Sequence, residues 1–128
     1  MNEMSKIFLA IASILGGLSV AFGAFASHAL KEQLTEKALA IWETGTKYQM
    51  YHSLALILVA LLLTFNPNPD PFLNSAGIAF IVGIVLFSGS LYVLSFSGIK
   101  WLGAITPLGG VAFIIGWGCL AISALGFK

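Results

Sequence analysis

Four stretches of the chain carry no charged residue: Ile7 to Ser27, Tyr48 to Phe65, Phe72 to Ile99 and Trp101 to Phe127. Polar and charged positions collect in the breaks between them. An α-helix rises about 1.5 Å per residue, so about 20 apolar residues cross the ~30 Å hydrocarbon core of a bilayer. The pattern predicts membrane spans over about 7–29, 48–65, 72–98 and 104–127. The second is near the lower limit of length, and the third is longer than a straight crossing needs, so it must tilt or protrude. A secretory signal is the rival reading of the first stretch, with Lys6 as its basic end and Ala24-Phe25-Ala26 as a cleavage site, but the apolar run is long for such a segment. The expected fold is an all-α membrane protein: four transmembrane helices in a compact bundle, plus one short interfacial amphipathic helix, forming a single integral membrane domain over residues 1–128.

Small residues recur at helical spacing. In the first span Ala12, Gly16, Ser19, Gly23 and Ala26 follow one another at intervals of four and three. In the fourth, Gly109, Ala112, Gly116, Cys119, Ser123 and Gly126 form a heptad seam in which every side chain is small. The third has Ala76, Ala79, Gly83 and Ser90, interrupted by Leu86. Lipid tails are as apolar as leucine, so helices associate in a membrane through close backbone approach. These faces are therefore expected to be the packing surfaces, with Cys119 as a small packing residue. The hydroxyls of Ser88 and Ser90 are expected to bond carbonyls one turn earlier or to bridge to a neighbouring helix.

The polar material is concentrated between the first two spans. Lys31, Glu32, Glu36, Lys37, Glu43 and Lys47 are more than half of the chain's charged residues, and both histidines, His28 and His52, bracket them. Leu30, Leu34, Ala38, Ile41 and Trp42 fall on one side by helical spacing, which predicts an interfacial helix over about 31–44 that stops at Gly45. Trp42, Tyr48 and Tyr51 are expected in the aromatic belt at the membrane boundary. His52 lies one turn deeper, where an unpaired polar group costs several kcal/mol. It is expected to be neutral and hydrogen-bonded, to Tyr48 or to a group near His28. His28, Glu43, Tyr48, Gln49, Tyr51 and His52 form a candidate functional polar collar.

The remaining breaks are shorter. Alternating prolines at 67, 69 and 71 forbid a continuous helix, and Asp70 is placed to cap the next helix with Pro71 in its first turn. Thr106-Pro107 marks a helix break. Proline is best tolerated at a helix start, so the fourth helix is expected to begin near Pro107 with Thr106 as its cap, and Gly103 to Thr106 to dip into the membrane as a non-helical segment.

Composition narrows the function classes. The chain is 59% hydrophobic and 9% charged, against roughly 25% charged residues in soluble domains. Its environment is therefore the lipid bilayer. A net charge of +1 gives no field for nucleic acid. The one cysteine allows neither an intrachain disulfide nor a cysteine-rich metal site. The spans hold no carboxylate pair, Ser/His/Asp set or phosphate loop, so no enzymatic activity and no cofactor is expected. Lys31, Lys37, Lys47 and Lys100 share one face, and Lys6 and Lys128 the other. The basic excess should be cytoplasmic, which puts both termini outside.

Several motifs together resemble one family. They are Gly23-Ala24-Phe25 with His28-Ala29-Leu30, Tyr48-Gln49-Met50-Tyr51-His52, Leu86-Phe87-Ser88-Gly89-Ser90-Leu91-Tyr92, and Leu102-Gly103-Ala104-Ile105-Thr106-Pro107-Leu108-Gly109-Gly110. The chain resembles the domain of unknown function 423 family, small bacterial membrane proteins related to the eukaryotic transmembrane protein 256. The family pattern has a Gly-Ala pair ahead of the histidine where this chain has Ala26-Ser27, a departure that bears on packing at the end of the first helix. The resemblance implies a small multi-span protein of the bacterial inner membrane. It brings no activity and no catalytic residue.

Three functions remain open. The leading one is a structural or interaction role, with small-residue faces packing helices within the chain, in a homo-oligomer or in a larger membrane complex. The second is a small oligomeric channel or transporter, for which Thr106-Pro107 is the candidate discontinuity. The third is a metal site at His28, His52 and Glu43, or a haem held between the two histidines.

Overall fold

The computed structural model describes residues 1–66, 68 and 70–127. Pro67 and Pro69 of the expected turn, and Lys128 of the charge count, lie outside the described residues. No strand occurs among the described residues. The first span is α1 (Glu3–Val20), a π-helical stretch (Ala21–Ala26) and α2 (Ser27–Leu30). The second is α3 (Glu36–Phe65). The third is α4 (Pro71–Gly83), a second π-helical stretch (Ile84–Ser88) and α5 (Gly89–Ser97). The fourth is a 3₁₀ turn (Lys100–Ala104) followed by α6 (Thr106–Leu125). All four are long and apolar enough to cross a membrane.

The helices form a compact bundle with α3 and the third span at its centre. The first span packs on α3, and the fourth packs on the third. Leu56, Val59 and Ala60 of α3 meet Phe8 and Ala12 of α1 and Leu73, Ala76 and Phe80 of α4 in one core. Asn2, Asn66, Asn68 and Asp70 share one end with Gly126 and Phe127; Thr35, Lys37 and Lys100 share the other.

Asp70 caps α4 as its position predicts, accepting from the Phe72 and Leu73 amides at 2.9 and 3.3 Å. Gly98, at φ 67°, ends α5 in the left-handed conformation that favours glycine.

Three local expectations are corrected. The separate interfacial helix over 31–44 is absent: α3 starts at Glu36, capped by Thr35, and runs unbroken through Gly45 to Phe65. Gly45 is a contact rather than a stop, because a Cβ there would sit 2.8 Å from Cε1 of Tyr92. Trp42 is no belt residue. It is 7% exposed and packed among Phe22, Tyr92 and Phe96, with ring centroids 4.6–5.7 Å away. Thr106 does not cap α6, and Gly103 belongs to the 3₁₀ turn rather than to a non-helical dip; the Thr106 hydroxyl instead pairs with Ser90 Oγ at 2.6 Å.

Candidate functional site

The polar groups that the fold gathers lie along one seam of α3: Trp42, Gly45, Thr46, Gln49, His52 and Ser53, all buried. The spacing is that of a single helix face, and every member meets another span. Gln49 is the hub. Its Nε2 donates to the Leu15 carbonyl of α1 at 2.7 Å, and its Oε1 accepts from the Tyr92 hydroxyl of α5 at 2.6 Å. One amide thus ties three spans together. Ser53 Oγ also donates to the Gln49 carbonyl at 2.6 Å.

The N-terminal end of this seam, at Trp42 and Gly45, meets both π-helical stretches. A wide turn leaves a carbonyl accessible to a donor from outside its own helix. In the first, the Phe22 carbonyl accepts from the Trp42 indole at 2.9 Å and from the Ser27 hydroxyl at 3.1 Å. Ser27 is buried, and its hydroxyl is spent on this wide turn. The second supplies a donor instead: Ser88 donates across to the Gly45 carbonyl of α3 at 2.7 Å. Ser19 donates to the Thr46 carbonyl at 2.7 Å.

His52 is held from two sides. Nδ1 lies 2.8 Å from the Tyr48 carbonyl, which only accepts, and Nε2 lies 3.1 Å from the Trp117 indole N–H, which only donates. These partners select the Nδ1–H tautomer. The ring stacks on Phe113 with centroids 3.5 Å apart and planes 7° from parallel. With Nε2 accepting from Trp117, neither ring nitrogen presents a free lone pair to a metal.

The collar is therefore not one site. Gln49 and His52 are inside, whereas His28, Glu43, Tyr48 and Tyr51 are on the outer surface. The two histidines also differ in depth. Gly16 packs against Ser53, so the level of His52 is near Gly16, and the rise from there to His28 is about 18 Å. No single metal ion or haem spans that gap, which removes the geometry needed for ligation by His28, Glu43 and His52. Among the described residues no group of three or more His, Cys, Asp or Glu could hold a metal.

The small-residue faces lie where the spacing put them. Ala12, Gly16, Ser19, Gly23 and Ala26 are buried or half-buried on the side facing α3. Gly116 and Gly83 each receive an aromatic ring, from Phe80 and Phe113, and Gly109 lies against the backbone of Phe87. Ser123 donates to Asp70 Oδ2 at 2.5 Å. Ala112 and Cys119 are half-buried, with Cys119 against the core, and Gly126 is exposed. Sequence reasoning missed Tyr92, Trp117 and the inward-turned Trp42. The available signal was a hydrogen-bonding aromatic residue within an otherwise apolar span, where its polar atom requires a partner.

The model of a family described as "Protein of unknown function (DUF423)" matches residues 22–110. The chain belongs to the DUF423 family. Of the α3 seam's hydrogen-bond partners the match takes in Phe22, Ser88 and Tyr92 and leaves out Leu15, Ser19 and Trp117. A UPF0382 membrane protein of Staphylococcus epidermidis is 45% identical over 95% of this chain and 98% of its own length. The UPF0382 membrane protein YwdK of Bacillus subtilis is 46% identical over 94% and 97%, and a relative of the same description in Haemophilus influenzae is 39% identical over 98% of both chains. No solved structure matches. This DUF423 chain is accordingly a multi-span membrane protein of a family whose molecular activity is unassigned.

Proposed function

We propose that this DUF423 protein is a structural or interaction component of the bacterial inner membrane and not an enzyme, with its charged end cytoplasmic and its termini outside. One contrast carries the reading. Apart from Asn74 Oδ1, the polar side-chain atoms buried in the spans are spent on bonds within the chain, as at Gln49, His52, Ser88 and the Ser90–Thr106 pair. The charges between Lys31 and Lys47 are exposed, and the one ion pair among the described residues is Lys6–Glu3, at the other end. Groups that close the interior leave little to line a pore or hold a substrate. Unspent charges at the membrane surface favour a partner polypeptide or a further copy of the chain.

Purification in mild detergent, followed by light scattering, metal analysis and solute-leak assays in proteoliposomes, tests this reading. The expected particle is larger than one chain, free of stoichiometric metal and tight to solutes. A monomer that carries metal, or a leak that depends on Pro107 or Gly109, overturns it.

A further inference from the structure

We propose that the groove between the start of α3 and the end of α5 binds one anionic phospholipid from the surrounding leaflet. The groove has a volume of about 350 Å³. Its floor is apolar, made by Ala38, Ile41 and Leu94, and its rim carries Lys37 and Lys100 and no carboxylate. The two lysines come from distant parts of the chain and are brought together only by the fold. Neither is in an ion pair among the described residues. Glu36 neighbours Lys37 in sequence but does not line the groove. Thr35, on the same rim, uses its oxygen to accept from the Ala38 amide, and its hydroxyl proton remains able to donate.

The surroundings place this groove at the membrane boundary. Trp101, next to Lys100, is 65% exposed, and Phe96 is 59% exposed. Exposed aromatic residues beside lysine at the end of a span are characteristic of the headgroup level. An occupant must therefore present an anion to two ammonium groups and an apolar chain to the floor below them. A phospholipid with a net negative headgroup meets both demands, and basic pockets between transmembrane helices are known to hold such headgroups. A soluble phosphate would leave the apolar floor wet. A zwitterionic lipid would bring its own cation to the lysines.

The test uses the full chain in mild detergent with equimolar phosphatidylglycerol and phosphatidylcholine of identical acyl chains, and counts retained lipid by native mass spectrometry. The wild type should keep one phosphatidylglycerol with roughly tenfold preference. The double variant Lys37→Gln/Lys100→Gln should lose that preference. Lys31→Gln/Lys47→Gln removes the same charge outside the groove and should keep it. Ala38→Phe fills the floor, leaves both lysines, and should reduce retention. No preference in the wild type, equal loss in both double variants, or full retention by Ala38→Phe would each overturn the proposal. So would equally tight binding of glycerol 1-phosphate, which has the headgroup anion and no acyl chain.

Discussion

The first span is joined to α3 differently from the way the fourth is joined to the third. Hydrogen bonds run through the α1–α3 interface: Trp42 to Phe22, Ser19 to Thr46 and Gln49 to Leu15, each from a side chain to a backbone carbonyl. Among the described residues, the interface of the fourth span with the third is bonded only near its ends, by Ser90 with Thr106 and by Ser123 with Asp70. Between those clamps it is dry: two rings sit on two glycines, Phe113 on Gly83 and Phe80 on Gly116, and Gly109 lies against the backbone of Phe87. A side-chain bond to a carbonyl fixes where two helices meet, yet averages only about 0.6 kcal/mol in a membrane. A ring seated on a glycine gains dispersion contacts and tolerates no added atom. The two interfaces should therefore fail in different ways and by different amounts.

The largest effect is expected at Gly109. A Cβ there would lie 2.7 Å from the Phe87 Cβ and 2.8 Å from its Cα, so it meets backbone that cannot swing aside. Gly109→Ala should cost about 3 kcal/mol, the upper end of ordinary overpacking, and lower the detergent melting temperature clearly. Gly110 is next in the chain with nothing within 4 Å of its would-be Cβ. Gly110→Ala should be neutral or stabilise by about 0.5 kcal/mol, since alanine is the better helix former. Equal melting temperatures for the two variants would mean that the dry interface is not close-packed.

Gln49→Leu should come second. It leaves the Leu15 carbonyl and the Tyr92 hydroxyl without their partner, at a cost of about 1–3 kcal/mol. Tyr92→Phe removes one donor and leaves the Gln49 oxygen unpaired, so it should cost less, about 0.6–1 kcal/mol. Hydrogen exchange should locate the loss: Gln49→Leu is expected to loosen the first span while α6 keeps its protection. Uniform loosening of all four spans would mean that the hub holds the whole bundle rather than one interface.

The dry interface was the more legible of the two in the sequence. Its glycines repeat at helical spacing, and in lipid that repetition has few other uses. The bonded interface was not, because a donor's target is a carbonyl, which every residue has. Nothing in Ser88 points to Gly45, and nothing in Trp42 points to Phe22. The wide turns at Ala21–Ala26 and Ile84–Ser88 have no residue signature of their own, although both meet the N-terminal end of the α3 seam. The boundary of α3 was misjudged for a related reason. Glycine after an amphipathic stretch signals a stop, but here Gly45 makes room for the Tyr92 ring. Charge spacing correctly separated the polar end from the apolar spans, and could not separate His52 and Gln49, which turn inward, from Glu43 and Tyr51, which do not.

The smallest expected effect tests the one bond among the described residues that links the seam of α3 directly to the fourth span. Trp117 is 45% exposed, so most of its ring surface would be retained by phenylalanine, but its N–H reaches inward to His52 Nε2 at 3.1 Å. Trp117→Phe should cost about 0.6 kcal/mol, the average for such a bond in a membrane. Phe113 still stacks on the imidazole, and the Tyr48 carbonyl still accepts from Nδ1–H, so the tautomer should survive. Nitrogen-15 NMR of the histidine ring should report a proton on Nδ1 in both proteins, with only the Nε2 resonance shifted by the lost donor. A proton on Nε2 in the wild type would contradict the bond. A large loss of stability in Trp117→Phe would show that the fourth span is held by a hydrogen bond to α3 rather than by its packing on the third span, and the contrast between the two interfaces would fall.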